Sequence, residues 1–256
     1  MSLRTLYLNP KGQCVVTLDA GVALRISTEQ THHIMRVPLR QLSRIISSQS
    51  VCWNSNAIIA CLKYGVPIQF TNRRGEAIGW CLGTRRVEST TANLLSSALS
   101  TCDWHDRYKQ WLNNQTRARA AQLLVLCQLP ATDNNIRNVR NVICNLHRVR
   151  HGAPAGRHIR AITELNRAEV ANALINLLGD PRLVAWQLEG LNLIDDLTEI
   201  TSMHAHAVLH FCAVLPKQIA MTKWAIEEYE SNASMWAESI GELIGSFERF
   251  LREHWL

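Results

Sequence analysis

Two carboxylates in the run Leu193-Ile194-Asp195-Asp196-Leu197-Thr198-Glu199 have a spacing that could do chemistry. Asp196 and Glu199 stand three residues apart. On a helix they would share a face and could hold one metal ion between them. The same run also reads as a solvated acidic helix start, with Asp195 or Asp196 favoured by the positive end of the helix. Further on, His206 and His210 are four apart and would share a face, with His204 close by. Their neighbours Ala205, Val208, Leu209 and Phe211 are apolar, and no glutamate follows His204 in an H-E-x-x-H arrangement. Packed or surface histidines are the expectation there.

The second chemical feature is cationic. Between Asn134 and Arg167 the chain carries Arg137, Arg140, Arg148, Arg150, Arg157, Arg160 and Arg167, with three histidines and Glu164 as the only acid. Guanidinium forks match phosphate oxygens, and such a cluster supplies sequence-independent, salt-sensitive affinity for nucleic acid. A solvated basic face, or one side of an interface with an acidic subunit, is the other reading. Arg73, Arg74, Arg85 and Arg86 form a second basic group. The formal charge of +6 and a pI near 9.0 permit a polyanionic partner without demanding one.

These residues must be positioned by a core, and 256 residues at 47% hydrophobic and 19% charged can build one. None of the eight cysteines has the spacing of a zinc knuckle. Most sit among apolar neighbours, which predicts reduced, buried thiols in a cytoplasmic protein. The N-terminal run MSLRTLYLNPKG has no apolar signal-peptide region, and no segment has the length a membrane span needs. No membrane association is expected.

Two periodicities divide the chain. Residues 1–86 read as strands: Thr5 to Leu8, Cys14 to Leu18, Val22 to Ile26 with Val22, Leu24 and Ile26 on one face, and Arg36 to Leu39. An apolar stretch with Leu42, Ile45 and Ile46 follows, then Val51 to Trp53. Asn54 or Ser55 caps a helix that Gly65 ends. Val66 to Thr71 and Glu76 to Leu82 complete this half around the turn Asn72-Arg73-Arg74-Gly75. From about Thr90 the period becomes helical. Leu94, Leu95, Leu99 and Trp104 recur on one side, continued by Tyr108, Trp111, Leu112, Ala118, Ala121 and Leu124. Further helical patterns run over 136–150, 157–179, 181–188, 190–213 and 217–255, the last with an aromatic stripe that reads as core. The expectation is an α+β protein: a small β-rich N-terminal domain, residues 1–86, and a larger all-α-helical domain, residues 87–256.

The order of pieces in the first half resembles a known family. Val37-Pro38-Leu39 leads to Ile45-Ile46, and Ser55-Asn56-Ala57-Ile58 then opens a helix. Tyr64-Gly65-Val66-Pro67-Ile68-Gln69-Phe70 and Arg74-Gly75-Glu76-Ala77-Ile78-Gly79 follow. Over residues 3–83 this is similar to the N-terminal domain of the CRISPR adaptation integrase, the universal CRISPR-associated protein that inserts new spacers. In the helical half, Trp104 to Trp111 resembles the family's first long helix, Asn172-Ala173-Leu174-Ile175-Asn176 its N-a-l-L-N element, and Leu193 to Glu199 its acidic D-L-x-E element. His206-Ala207-Val208-Leu209 falls where the family has v-D-x-x-V-l.

The resemblance implies a homodimer formed through the N-terminal domain, DNA as substrate, and the small ferredoxin-like CRISPR adaptation protein as a further partner. It implies transesterification, in which a DNA 3′-hydroxyl attacks a phosphodiester, assisted by Mg2+ or Mn2+. The family's ligands are a glutamate, a histidine and an acid from the D-L-x-E element. Asp196 and Glu199 stand in the acid's place. Arg117 to Arg160 contains no glutamate, and no histidine lies between Asn176 and Asp196. His158, after Gly152-Ala153-Pro154-Ala155-Gly156, is the histidine whose setting comes nearest. Three readings stay open: an integrase-like DNA-binding scaffold with weakened or lost activity, an active metal-dependent integrase or endonuclease, and an unrelated helical interaction module with a β-rich cap.

Overall fold

In a computed structural model the described residues are 4–10, 12–28, 34–73, 75, 77–83, 89–151, 155–179, 192–211 and 221–256. The chain divides into two compact units, Met1–Val87 with Gly179–Pro181, and Glu88–Leu178 with Arg182–Leu256.

The first unit holds two four-stranded sheets. In one, β1 (Arg4–Leu8) pairs parallel with β5 (Leu42–Ser48), β5 parallel with β7 (Ile68–Thr71), and β7 antiparallel with β8 (Ala77–Cys81). In the other, β2 (Cys14–Asp19) lies between β3 (Ala23–Thr28) and β6 (Val51–Trp53), and β4 (Ile34–Pro38) forms the edge beyond β3. Alternation along β2 and β3 sends Cys14, Val16, Leu24 and Ile26 into one core with Leu8, Ile45 and Ile68 of the other sheet. Helix α1 (Ser55–Lys63) closes this core with Ala57, Ala60 and Cys61. Its N-cap is Asn54, whose side chain accepts from the Asn56 N–H at 2.9 Å. Gly65 follows the helix at φ +70°, a backbone that a Cβ would strain.

Val22 departs from its expected face. The β2–β3 hairpin turns through Ala20 (φ 48°) and Gly21 (φ 75°), closed by Val22 N–H to Asp19 O at 3.2 Å. Two consecutive positive φ values give this three-residue loop a turn whose twist matches that of the flanking strands. Val22 therefore belongs to the turn and is 48% exposed. The thiols depart as well. Cys14, Cys61 and Cys127 are buried, but Cys52, Cys102 and Cys144 are exposed. Cys144 lies on the outer face of a basic helix described below, and Cys52 points away from the core of its sheet. Cys212 and the helical pattern over 181–188 lie outside the described residues.

The second unit is helical: α2 (Thr90–Leu99), α3 (Trp104–Leu126), α4 (Asp133–Arg137), α5 (Val139–His151), α6 (Ala155–Leu178), α7 (Leu193–Thr201), α8 (Met203–Phe211), α9 (Met221–Ser231) and α10 (Ala233–Trp255). The pattern expected over 190–213 breaks at Ser202, and that over 217–255 breaks at Asn232, whose amide donates to the Glu228 carbonyl at 2.8 Å. Helix α3 serves two cores in turn. Its first half lays Trp104, Tyr108 and Trp111 against Phe247 and Phe250 of α10 and Leu197 of α7. Its second half puts Ala120, Leu123 and Leu124 against Val139 and Ile143 of α5 and Met203 of α8. The buried line therefore passes through Ala120 and Leu123, while Ala118 is exposed and Ala121 partly so. No described helix is long and apolar enough to cross a membrane.

Candidate nucleic-acid interface and the carboxylate pair

Helix α7 starts at Asn192, whose side-chain oxygen accepts from the Asp195 N–H at 3.2 Å while its amide donates to the Asp195 carboxylate. Asp195 also pairs with Arg167 of α6. Asp196 accepts the Tyr108 hydroxyl of α3 at 2.8 Å. Tyr108 is buried between Trp104 and Trp111, with ring centroids 5.2 and 5.8 Å away. Burial pushes the Asp196 carboxyl above its ordinary range, the Tyr108 hydrogen bond and the Asn192 backbone draw it back, and the Glu199 charge pushes it up again. Burial and the Asp196 charge together hold the Tyr108 hydroxyl well above its usual range, so it stays a donor. Glu199 is exposed and pairs with Arg140 of α5.

The three acids of α7 thus reach three different helices. Asp195 ties to α6, Asp196 to α3 and Glu199 to α5. A cation site needs several ligands converging on one point. Among the described residues no three histidine, cysteine, aspartate or glutamate side chains converge in that way. His158 is 1% exposed and packs edge-on to Trp224 of α9, centroids 4.9 Å apart, so it does not complete a site with Asp196 and Glu199. The described residues do not fit the family's metal, and no catalytic step is assigned through one.

The α8 histidines are packed. His204 stands edge-on to Trp236 at 5.8 Å, and burial depresses its imidazole. His206 stacks on His147 of α5 at 5.5 Å. Burial, with help from Arg140, pushes His206 down to about 4, so it is neutral at physiological pH.

The seven arginines fall into two groups. Arg140 and Arg167 are committed to Glu199 and Asp195, and Arg160 also has a partner within the protein. Arg137 at the end of α4, Arg148 and Arg150 on α5, and Arg157 near the start of α6 are exposed. No described residue pairs with any of those four. Helix α5 explains the placement of Arg148: Val139, Ile143 and His147, four apart, face the core. Asn141, Cys144, Asn145 and Arg148 are left on the outer side. Exposed guanidinium groups that no described residue pairs with are suited to phosphate oxygens.

Sequence reasoning missed Tyr108 as a polar partner, because a tyrosine in an apolar stripe reads as packing and its acceptor lies 88 residues away. It also missed Asn166, buried in α6, whose amide donates to Thr201 of α7 at 2.6 Å. The turn-forming asparagine at position 192, three residues before Asp195, was the signal available for the α7 cap.

A unit of two four-stranded sheets followed by a helical unit defines an α+β protein. The model of the family described as CRISPR associated protein Cas1 matches residues 7–180, and this chain belongs to that family. The match ends before Asp196 and Glu199. No curated protein matches the chain. Among solved structures it is similar to TM1797, a CAS1 protein from Thermotoga maritima, at 13% identity and TM-score 0.78, covering 97% of both chains. It is also similar to the protein in a TtCas1–DNA complex, at 13% identity and TM-score 0.65, covering 95% of this chain and 91% of that one. A casposase bound to integration product is similar at 12% identity and TM-score 0.56, covering 98% of this chain and 82% of that one. At these identities the likeness is one of fold.

Proposed function

We propose that this chain is a DNA-binding Cas1-family scaffold whose metal-dependent strand-transfer activity is weakened or lost. The observation that carries the reading is the dispersal of the α7 acids, each tied to a different helix through Tyr108, Arg140 or Arg167. Three ligands converging on one ion fix its geometry, whereas a carboxylate held by a guanidinium has its charge already answered. Mg2+ or Mn2+ belongs to the family's chemistry, and the reading is supported by the lack, among the described residues, of any group of three histidine, cysteine, aspartate or glutamate side chains that could hold it. DNA binding rests on Arg137, Arg148, Arg150 and Arg157, which carry charge that nothing in the described chain neutralises.

A second copy would dock through the N-terminal unit, where edge strand β4 exposes Ile34 (53%) and Met35 (47%). The small ferredoxin-like adaptation protein is the other protein partner of this reading. We place the protein in the cytoplasm on its free cysteines. The test is anisotropy of a short labelled duplex across a salt series. Arg148→Ala and Arg150→Ala should each flatten the log K against log salt slope by about 0.9. Binding without salt dependence, or slopes unchanged in both variants, would remove the arginine surface from the account.

A further inference from the structure

Away from the arginine face, a groove of about 510 Å³ runs between the first half of α3 and the last half of α10. That volume is within the usual range for small-molecule sites. Trp111 and Phe250 line it, and most of the other lining side chains are polar.

The hydrogen bonds around it leave donors over. Ser246 Oγ accepts from Trp111 Nε1 at 3.3 Å and from Gln115 Nε2 at 2.9 Å. With both lone pairs engaged, Ser246 keeps one proton to donate, which no described acceptor takes, and the two incoming bonds strengthen it as a donor. Arg107 is held by Asp103 at 2.6 Å and over the Trp255 ring at 6.0 Å, and it donates to His254 Nδ1 at 3.2 Å. A guanidinium cannot accept, so His254 Nδ1 does, which leaves the His254 proton on Nε2 as a further donor. Arg249 lines the groove, is exposed, and pairs with no described residue. Asn114 adds an amide that pairs with no described residue. Glu253 is the only carboxylate among the groove's described lining residues.

We propose that this groove binds a phosphate ester, carried either by a free nucleotide or by a nucleic-acid strand. Arg249 supplies the unpaired charge and the fork, Ser246 a directed hydroxyl, and the anchored Arg107 a second guanidinium whose position is already fixed. The arginine face cannot stand in for this site. Helix α5 packs on Leu123 and Leu124 of α3, while the groove lies at Trp111. Twelve residues of helix separate them, about 18 Å along α3. A strand touching both must therefore extend over roughly five base-pair steps. Only the strand-borne case rests on the nucleic-acid reading above.

Arg249→Ala is the test variant, because Arg249 makes no contact whose loss would unfold the protein. Two probes separate the sources: phosphorus-31 line broadening of adenosine monophosphate, and anisotropy of a labelled duplex longer than the span just given. The variant should weaken one probe on the order of five-fold. If that probe is the duplex, the salt slope should also fall by about 0.9. A loss for the monophosphate assigns the groove to a free nucleotide, and a loss for the duplex assigns it to a strand. Arg249→Lys should restore the slope because it restores the charge. Binding of both probes unchanged in Arg249→Ala, or no binding of either by the parent, overturns the proposal. If Arg148→Ala flattens the slope while Arg249→Ala does nothing, the arginine face survives and the groove site does not.

Discussion

Replacing Tyr108 with phenylalanine removes one hydroxyl and keeps the ring that packs between Trp104 and Trp111. Asp196 then loses its 2.8 Å donor while staying part-buried on α7. Hydrogen bonds to charged groups contribute about 1.5–3 kcal/mol, so a loss of ~2 kcal/mol is expected at neutral pH. For a helical unit of this size that corresponds to a Tm drop of roughly 4–8 °C. The pH dependence fixes the cause. The folded carboxyl lies above its unfolded value of 3.8, so the native state takes up a proton first as pH falls. Acidification through that window relieves the buried charge, and the parent gains from it. Without the hydroxyl the carboxyl rises further and the gain is larger. The difference between parent and variant should therefore shrink towards about 1 kcal/mol in acid, where a neutral hydrogen bond is all that is lost. Thermal melts of both proteins across this range measure it. A difference below about 0.5 kcal/mol, or one that ignores pH, would refute the claim that Asp196 is a structural acceptor.

Glu199→Gln should cost less than about 1 kcal/mol, because its pair with Arg140 is 50% and 68% exposed. By releasing Arg140 it should steepen the salt dependence of duplex binding by up to about 0.9. His206→Leu should flatten the acid limb of stability. The unfolded imidazole protonates near 6.5 and the folded one at about 4, so the parent loses stability as pH falls between them, on the order of 2 kcal/mol. Urea titrations of parent and variant at the two ends of that window check this. Ala20→Asn should raise Tm, because Ala20 sits at φ 48° in a hairpin turn that favours asparagine there, with a gain of about 0.5–1 kcal/mol.

The strands were legible because alternation and turn residues are local. Asn54, Gly65 and Gly75 act on their immediate neighbours, and a one-dimensional reading finds them. The helical breaks at Ser202 and Asn232 were not legible, because one polar residue inside an amphipathic pattern is compatible with a continuous helix. Hydrogen bonding at those positions decides the break, and that depends on how the next helix packs. The α3 stripe was misassigned at Ala118 and Ala121 for a related reason. A single periodic face was expected, while the helix divides its length between a core with α10 and a core with α5 and α8. Of the candidate site, the carboxylates and arginines were visible as residue types. Their pairings were not: Arg140 meets Glu199 and Tyr108 meets Asp196 across 59 and 88 residues, and no spacing rule reaches so far.

The measurement closest to the central claim is manganese-dependent strand transfer on labelled repeat-containing DNA, with Asp196→Asn run beside the parent. The account predicts salt-sensitive binding of that DNA by both proteins, with strand transfer absent, or weak and unchanged by Asp196→Asn. Manganese-dependent transfer by the parent that Asp196→Asn abolishes would contradict it, and would make Asp196 a ligand rather than a tie between α7 and α3.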